Sequence, residues 1–169
     1  MNITLIAAIG KNHELGKDNK LIWSIPEDLK FFRDNTIGKP IIMGLNTLNS
    51  LPRLLPNRKY IVLTHREICL DPSIMIFHSK EELLKYLELL DEEVMVIGGA
   101  QIYAQMIEYA NKMLLTEINK TAESDVYFPN FSQSDWNREL ISSHMYNDIE
   151  YDRAVYTRKK SKYNTLIGD

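Results

Sequence analysis

The sequence predicts an α/β fold: a mostly parallel sheet covered by helices, with an antiparallel edge near the C-terminal end. Three observations lead there. Apolar runs of strand length recur along the 169 residues, several of them are continuous rather than alternating, and helical patterns fall between them. Continuous apolar runs suit strands buried on both faces. Strands alternating with helices build parallel βα units. The length is about one domain's worth, and no internal repeat, low-complexity tract or Gly/Ser linker interrupts it, so residues 1–169 are expected to form one domain.

The elements follow in order. Ile3–Ile9 reads as a strand, because no basic residue precedes it and it is short for a signal segment. A polar loop over 10–20 leads to Leu21-Ile-Trp-Ser-Ile-Pro26. Residues 26–35 place apolar side chains three or four apart behind a proline, which the first turn of a helix tolerates. Ser24 and Glu27 stand at capping-box spacing. Pro40–Met43 is a strand that feeds a short helix over 44–50. Strands follow at 60–64 and Ile74–Phe77, then a helix over 80–90, a strand at 94–97, a helix over 100–109 and a strand at 113–118. After Ala122 the helical patterns stop, and 139–144 with 151–157 read as an antiparallel pair joined by a polar turn over 147–150.

Composition excludes several classes of function. With 20 Lys and Arg against 23 Asp and Glu, the net charge is −3, which lacks the footprint of a nucleic-acid binder. No apolar run approaches the ~18–20 residues that span a bilayer, so no membrane partner is expected and the cytoplasm is the default compartment. Arg158, Lys159, Lys160 and Lys162 read as a solvated tail, with an anion-binding patch as the alternative. Cys69 has no second cysteine to bridge and reads as a lone buried thiol. His13, His65, His78 and His144 lack metal-site spacing, so no metal is expected. No Gly-x-Ser-x-Gly elbow exists, and Cys69 has no adjacent basic pair to activate it.

Three features carry chemistry. On the 26–35 helix, Asp28 lies on the same side as the stripe of Ile25, Leu29 and Phe32. A carboxylate on a core-facing stripe is costly unless it is paired or functional; the alternative is a helix-start acid that faces water. Residues 94–103 run a strand through Gly98 and Gly99 into a helix, which suits either close approach of a phosphate or a tight turn. Gly44 and Thr47 repeat that arrangement after Pro40–Met43, with Thr47 either capping the helix or donating to a phosphate. Trp23, on composition alone, is a core aromatic.

In order, Leu5-Ile-Ala-Ala8, Leu15-Gly16, Trp23-Ser-Ile-Pro-Glu-Asp-Leu29, Phe32, Gly38-Lys-Pro-Ile-Ile-Met-Gly44, Leu55-Pro-Asn-Arg58, Val96-Ile-Gly-Gly99, Ile102-Tyr103, Thr116 and Asp125-Val-Tyr-Phe-Pro129 resemble the dihydrofolate reductases of the bacterial type. The resemblance covers nearly the whole chain and weakens after Pro129. It implies a central eight-stranded, mostly parallel sheet with helices on both faces. It also implies NADPH-dependent reduction of 7,8-dihydrofolate to 5,6,7,8-tetrahydrofolate, with hydride to C6 and a proton to N5. For the residues it implies that Asp28 pairs with the 2-amino and N3 edge of the pterin and that Thr116 bonds the same end. Ile6, Ala7, Leu29, Phe32, Leu51, Leu55, Ile97 and Tyr103 surround the ring. Arg58 holds the α-carboxylate of the glutamate tail, with Arg53 nearby. Leu21 and Trp23 belong to a mobile loop over the nicotinamide and join Asp28 as catalytic positions. Ala8, Leu15, Gly16, Asn19, Lys20, Gly44, Asn46, Thr47, Thr64, His65, Arg66, Ile97, Gly98, Gly99, Ala100, Gln101, Ile102, Tyr103 and Gln105 match cofactor-contacting positions, with the glycine pair joined by a cis peptide. The implied partners are dihydrofolate and antifolate inhibitors such as trimethoprim, taken up by a monomer.

Three departures stand out. Leu45 occupies a position that usually holds a cation near the cofactor phosphates, with Arg66 the candidate to compensate. Ile22 replaces a proline, and Leu48 takes a position that is usually aromatic. Two alternatives to a folate enzyme remain at this level: a same-fold pyrimidine reductase of riboflavin synthesis, and a catalytically silent module that binds nucleotides or antifolates.

Overall fold

The computed structural model describes residues 1–159. Its main sheet holds six parallel strands: β1 (Ile3–Ile9), β4 (Pro40–Met43), β5 (Lys59–Leu63), β6 (Ile74–Phe77), β7 (Val94–Gly98) and β8 (Lys112–Ile118). Two long antiparallel strands, β10 (Trp136–Tyr146) and β11 (Ile149–Arg158), close one edge, giving the order β10-β11-β8-β1-β7-β4-β5-β6. A small second sheet pairs β2 (Glu14–Lys17) with β3 (Lys20–Leu21) and β9 (Val126–Tyr127). The eight-stranded, mostly parallel sheet with an antiparallel C-terminal edge is therefore as the sequence predicts.

Both faces of the sheet are covered, and the residues alternate between the two cores. Ile3, Leu5, Ile42, Ile61, Val94, Val96, Met113 and Leu115 join one cluster, which α3 (Lys80–Leu87) and α4 (Ala100–Met106) complete with Leu83, Leu87, Ile102 and Met106. Ile6, Ile41, Met43, Tyr60, Val62, Met95 and Leu114 join the other, under α1 (Pro26–Thr36) and α2 (Leu45–Ser50). Side chains two apart share a face, so strands that bury both faces need apolar residues at every position. That requirement explains the continuous apolar runs.

Several local expectations change. The first helix starts at an Ile25 N-cap with no side-chain cap bond, and Ser24 is exposed, so the Ser24–Glu27 capping box does not form. The helix expected over 80–90 ends at Leu87, and the one over 100–109 divides into α4 and a 3-10 turn at Ile107–Tyr109. The turn expected over 147–150 shrinks to Asn147 and Asp148, both at positive φ (45° and 64°). A two-residue hairpin turn of that hand matches the twist of its strands. Cys69 is exposed rather than buried. Arg158 is not part of a solvated tail: its guanidinium donates to the carbonyls of Ala110 (2.8 Å) and Ile107 (2.5 Å) and lies 4.2 Å from the Trp136 ring centre. Lys160 and Lys162 fall outside the described residues.

Candidate active site

The chain leaves β1 toward β4 on one side and leaves β7 toward β8 on the other, although β1 and β7 are neighbours. Diverging connections open a crevice at the carboxyl ends of such strands, where α/β proteins bind ligands. Ala7 and Ala8, both half-buried, form one lip, and Ile97 and Gly98 the other. Gly98 has φ +131°, which demands glycine, and its bond to Gly99 is cis. The Gly98 carbonyl accepts from the Gly44 amide at 2.9 Å, so the two strand-to-helix turns lie side by side. Thr47 does not cap α2, whose N-cap is Gly44. Its hydroxyl instead lies 3.5 and 3.7 Å from where β-carbons on Gly98 and Gly99 would stand.

Asp28 sits in the first turn of α1 with its side chain 23% exposed. Thr116, buried at 2% on β8, donates to Asp28 Oδ1 at 2.5 Å. This places the helix acid against the carboxyl end of the sheet rather than in water. Burial pushes the Asp28 pKa above its ordinary value, and the Thr116 hydrogen bond and the nearby Arg153 charge only partly oppose that. Arg153, on β11, pairs in register with Thr116 and brings Nη2 to 3.9 Å from Asp28 Oδ1.

The remaining predicted positions divide into those the fold gathers and those it does not. Ile6, Phe32, Leu51, Leu55 and Ile97 belong to one apolar cluster beside Asp28's helix. Leu29 stays outside that cluster and is 48% exposed, so the inward stripe of α1 is apolar yet incompletely covered. Tyr103 is buried beneath the glycine turn and donates to the Ile6 carbonyl at 2.6 Å, which ties α4 to β1. Ala100 and Gln105 are half-buried on α4, Gln101 is exposed and Ile102 is buried. Trp23 packs with Ile25, Ile118 and Tyr151, whereas Leu21 is 67% exposed on β3. Leu15 and Gly16 are buried on β2, Asn19 is exposed in the turn beside it and Lys20 is exposed on β3. Asn46, His65 and Arg66 are exposed beyond β4 and β5, and Thr64 Oγ1 accepts from the Arg66 amide at 3.2 Å.

Arg58 is fixed before any ligand arrives. It donates to Thr36 Oγ1 (3.2 Å), the Pro56 carbonyl (2.7 Å) and the Arg33 carbonyl (2.8 Å). Three of the guanidinium's five N–H groups are thereby used, and among the described residues the other two remain free. Arg53 is exposed and has no such support. Leu45 stands where the resemblance expects a cation near the cofactor phosphates. It is 8% exposed and packs in the α1–α2 core, as does Leu48.

Arg153 is the residue that sequence reasoning missed. Its signal is present: Tyr151, Arg153 and Val155 share one face of β11, and a charge at the centre of that stripe breaks the strand pattern as Asp28 breaks the helix pattern.

Comparison with known proteins settles the family. A model for dihydrofolate reductase matches residues 2–159. The chain belongs to the dihydrofolate reductase family. As a member, it is an NADPH-dependent oxidoreductase that reduces dihydrofolate. It is 41% identical over 149 residues to the dihydrofolate reductase of Buchnera aphidicola subsp. Schizaphis graminum, covering 88% of this chain and 91% of the relative. It is 37% identical over 164 residues to that of Bacillus subtilis, covering 94% and 96%. Among solved structures, the Enterococcus faecalis dihydrofolate reductase complexed with NADP(H) and RAB-propyl superposes with a TM-score of 0.85 at 29% identity, covering 94% of this chain and 97% of that one.

The residues present fit a dinucleotide. The Gly98–Gly99 turn leaves open a slot that β-carbons would partly fill, and the Thr47 hydroxyl on its far wall makes no hydrogen bond among the described residues. The first amides of a helix have no intrahelical acceptor, so the starts of α2 and α4 add donors to the same slot. No helix among the described residues is long and apolar enough to cross a membrane.

Proposed function

We propose that reduction of 7,8-dihydrofolate to 5,6,7,8-tetrahydrofolate is run from the crevice between β1 and β7, with Asp28 as the group that recognises and polarises the pterin. The observation that carries this is the Thr116–Asp28 hydrogen bond, which fixes one carboxylate oxygen and leaves the other without a donor among the described residues. A carboxylate accepts from two parallel N–H groups, which matches the 2-amino and N3 edge of a pterin. Ile6, Phe32, Leu51 and Ile97 enclose the ring, exclude water and fix its orientation. The two free N–H groups of Arg58 take the α-carboxylate of the glutamate tail as a fork.

When bound, NADPH supplies the hydride that passes to C6. Thr47, the glycine pair, and the starts of α2 and α4 hold its phosphates, with Thr64, His65 and Arg66 at the adenosine end. The loop carrying Leu21 and Trp23 closes over the nicotinamide end. Asp28 stays bonded to the far edge of the pterin and raises the electron density of the ring, while a water molecule delivers the proton to N5. The chain works as a single domain, as a monomer, in the cytoplasm, and binds antifolates at the same site.

The test is turnover of purified protein with dihydrofolate and NADPH, followed by loss of the reduced-nicotinamide absorbance. Steady oxidation that needs both compounds supports the reading. Oxidation with a pyrimidine substrate but not with dihydrofolate refutes it.

A further inference from the structure

Arg153 is a buried cation that the proposed mechanism does not use. The residue is 8% exposed, and its Nε and Nη2 have no hydrogen-bond partner among the described residues. At 3.9 Å, Nη2 faces Asp28 Oδ1 across more than hydrogen-bond distance. The guanidinium lies over the Phe31 ring at 4.6 Å and near the Tyr151 ring at 5.5 Å. Nη1 donates to His144 Nε2 at 3.3 Å, and His144 Nε2 also lies 2.7 Å from Ser142 Oγ. Since an arginine can only donate, that imidazole nitrogen is the acceptor.

The charged groups around it are few. On α1, Glu27, Lys30 and Asp34 join Phe31 and Arg153 around a hollow of about 290 Å³. Lys30 and Asp34 pair with each other at 2.6 Å and are exposed at 71% and 59%. Glu27 Oε2 accepts from the Tyr151 hydroxyl at 3.5 Å. Among the described residues, Asp28 is thus the carboxylate within ion-pair distance of this guanidinium. Burying an arginine with two unsatisfied nitrogens is expensive without a counter-charge.

We propose that Arg153 is a specificity-determining positioning residue: seated behind Asp28, it turns the recognition end of the site into an ion pair, so the site gains less from a protonated heterocycle than a lone carboxylate would. The inference rests on the reading of Asp28 as the pterin anchor. A lone buried carboxylate attracts a protonated diaminopyrimidine by its full charge. A carboxylate backed by a guanidinium attracts it less, because the ligand's cation also meets Arg153. A neutral dihydropterin feels that second charge weakly. At an effective dielectric of about 20, a unit charge several ångströms away changes affinity by roughly tenfold or more.

The experiment uses the full chain with NADPH present and compares wild type with Arg153→Met, which keeps the apolar stem, and Arg153→Lys, which keeps the charge. Trimethoprim, a basic diaminopyrimidine, is the cationic probe, and dihydrofolate is the neutral one. Arg153→Met should bind trimethoprim about tenfold more tightly while the dihydrofolate KM moves less than threefold. Arg153→Lys should restore the wild-type ratio. The acidic limb of the kcat/KM profile should move to higher pH in Arg153→Met and return in Arg153→Lys. Equal changes for both ligands, or an unmoved ratio with an unmoved acidic limb, overturn the proposal. If Arg153→Met does not fold, Arg153→Gln takes its place with the same two outcomes. If wild type itself neither turns over dihydrofolate nor binds trimethoprim, the failure lies with the functional reading and not with Arg153.

Discussion

Replacing Asp28 with asparagine keeps the side chain's shape and removes its charge. Asp28 Oδ1 is held by Thr116 at 2.5 Å, and the other oxygen makes no hydrogen bond among the described residues. An asparagine has a single acceptor oxygen, so either Thr116 or the pterin must then face its NH2 group. One of the two ligand bonds is lost, and the other is no longer charge-assisted. Hydrogen bonds to charged groups contribute about 1.5–3 kcal/mol each. The loss should come to about 3–5 kcal/mol, or roughly 10²–10⁴ in kcat/KM at 1.36 kcal/mol per decade.

A catalytic loss of that size can also come from a damaged fold, and linkage separates the two. Burial raises the Asp28 pKa above 3.8 despite the opposing Thr116 bond and Arg153 charge. The ionised side chain therefore weakens folding. That penalty is full above the raised folded-state pKa, shrinks as pH falls through it, and is gone below the unfolded value of 3.8. Asparagine never carries the penalty. Asp28→Asn should melt no lower than wild type at neutral pH, and the two melting temperatures should converge as the medium is acidified through that window. NADPH oxidation and calorimetry on the same preparation measure both quantities. Near-wild-type turnover at neutral pH would refute the role of Asp28, and so would a loss of rate that merely follows a collapse in melting temperature.

Asp28 and Arg153 face each other in the fold but were unequally legible in the sequence. Asp28 stands out because a helix with a 3.6-residue period leaves one polar residue inside an apolar stripe. Arg153 lies in a hairpin whose partner strand exposes most of its residues, so alternating charged positions there look like a solvated edge. Only the pairing of β11 with β8 turns the 151–153–155 face toward Thr116 and α1. The parallel strands were legible because burial on both faces makes apolar runs continuous. At Leu45 the family resemblance speaks only for the position, and the packing of the leucine side chain, first in α2 and turned into the core, is visible only in the fold. Cys69 shows the limit of residue-type averages, since a thiol in the segment between β5 and β6 has no core to enter.

Three further outcomes follow from named contacts. Arg58→Gln should raise the dihydrofolate KM by about ten- to a hundredfold through loss of charge-assisted bonds, with little change in kcat; an unchanged KM in steady-state kinetics would remove Arg58 from the tail site. Glu93 is pulled down to about 2 because Lys39, Thr4 and Lys112 together outweigh the effect of burial. Its stabilisation is present above its unfolded value of 4.5 and lost as pH falls toward 2, so Glu93→Gln should lower urea stability by about 2–3 kcal/mol at neutral pH and by nothing at the acid end of that range. Gly10 tests how firmly the active-site loop is seated. A β-carbon there would stand 2.6 Å from both Trp23 Cη2 and Glu14 Oε1. Glu14 cannot easily yield, because the amides of Asn12 (2.7 Å) and Ala122 (2.8 Å) hold its carboxylate, so the strain falls on Trp23. Gly10→Ala should lower stability by about 1–3 kcal/mol, the usual range for overpacking, and slow turnover by displacing the loop that follows β3. In a Trp136→Phe background, Trp23 is the sole remaining tryptophan, and its fluorescence should shift with the loss of rate. Unchanged emission and unchanged turnover would show that the loop takes up the methyl group without moving Trp23, and that Gly10 does not position it.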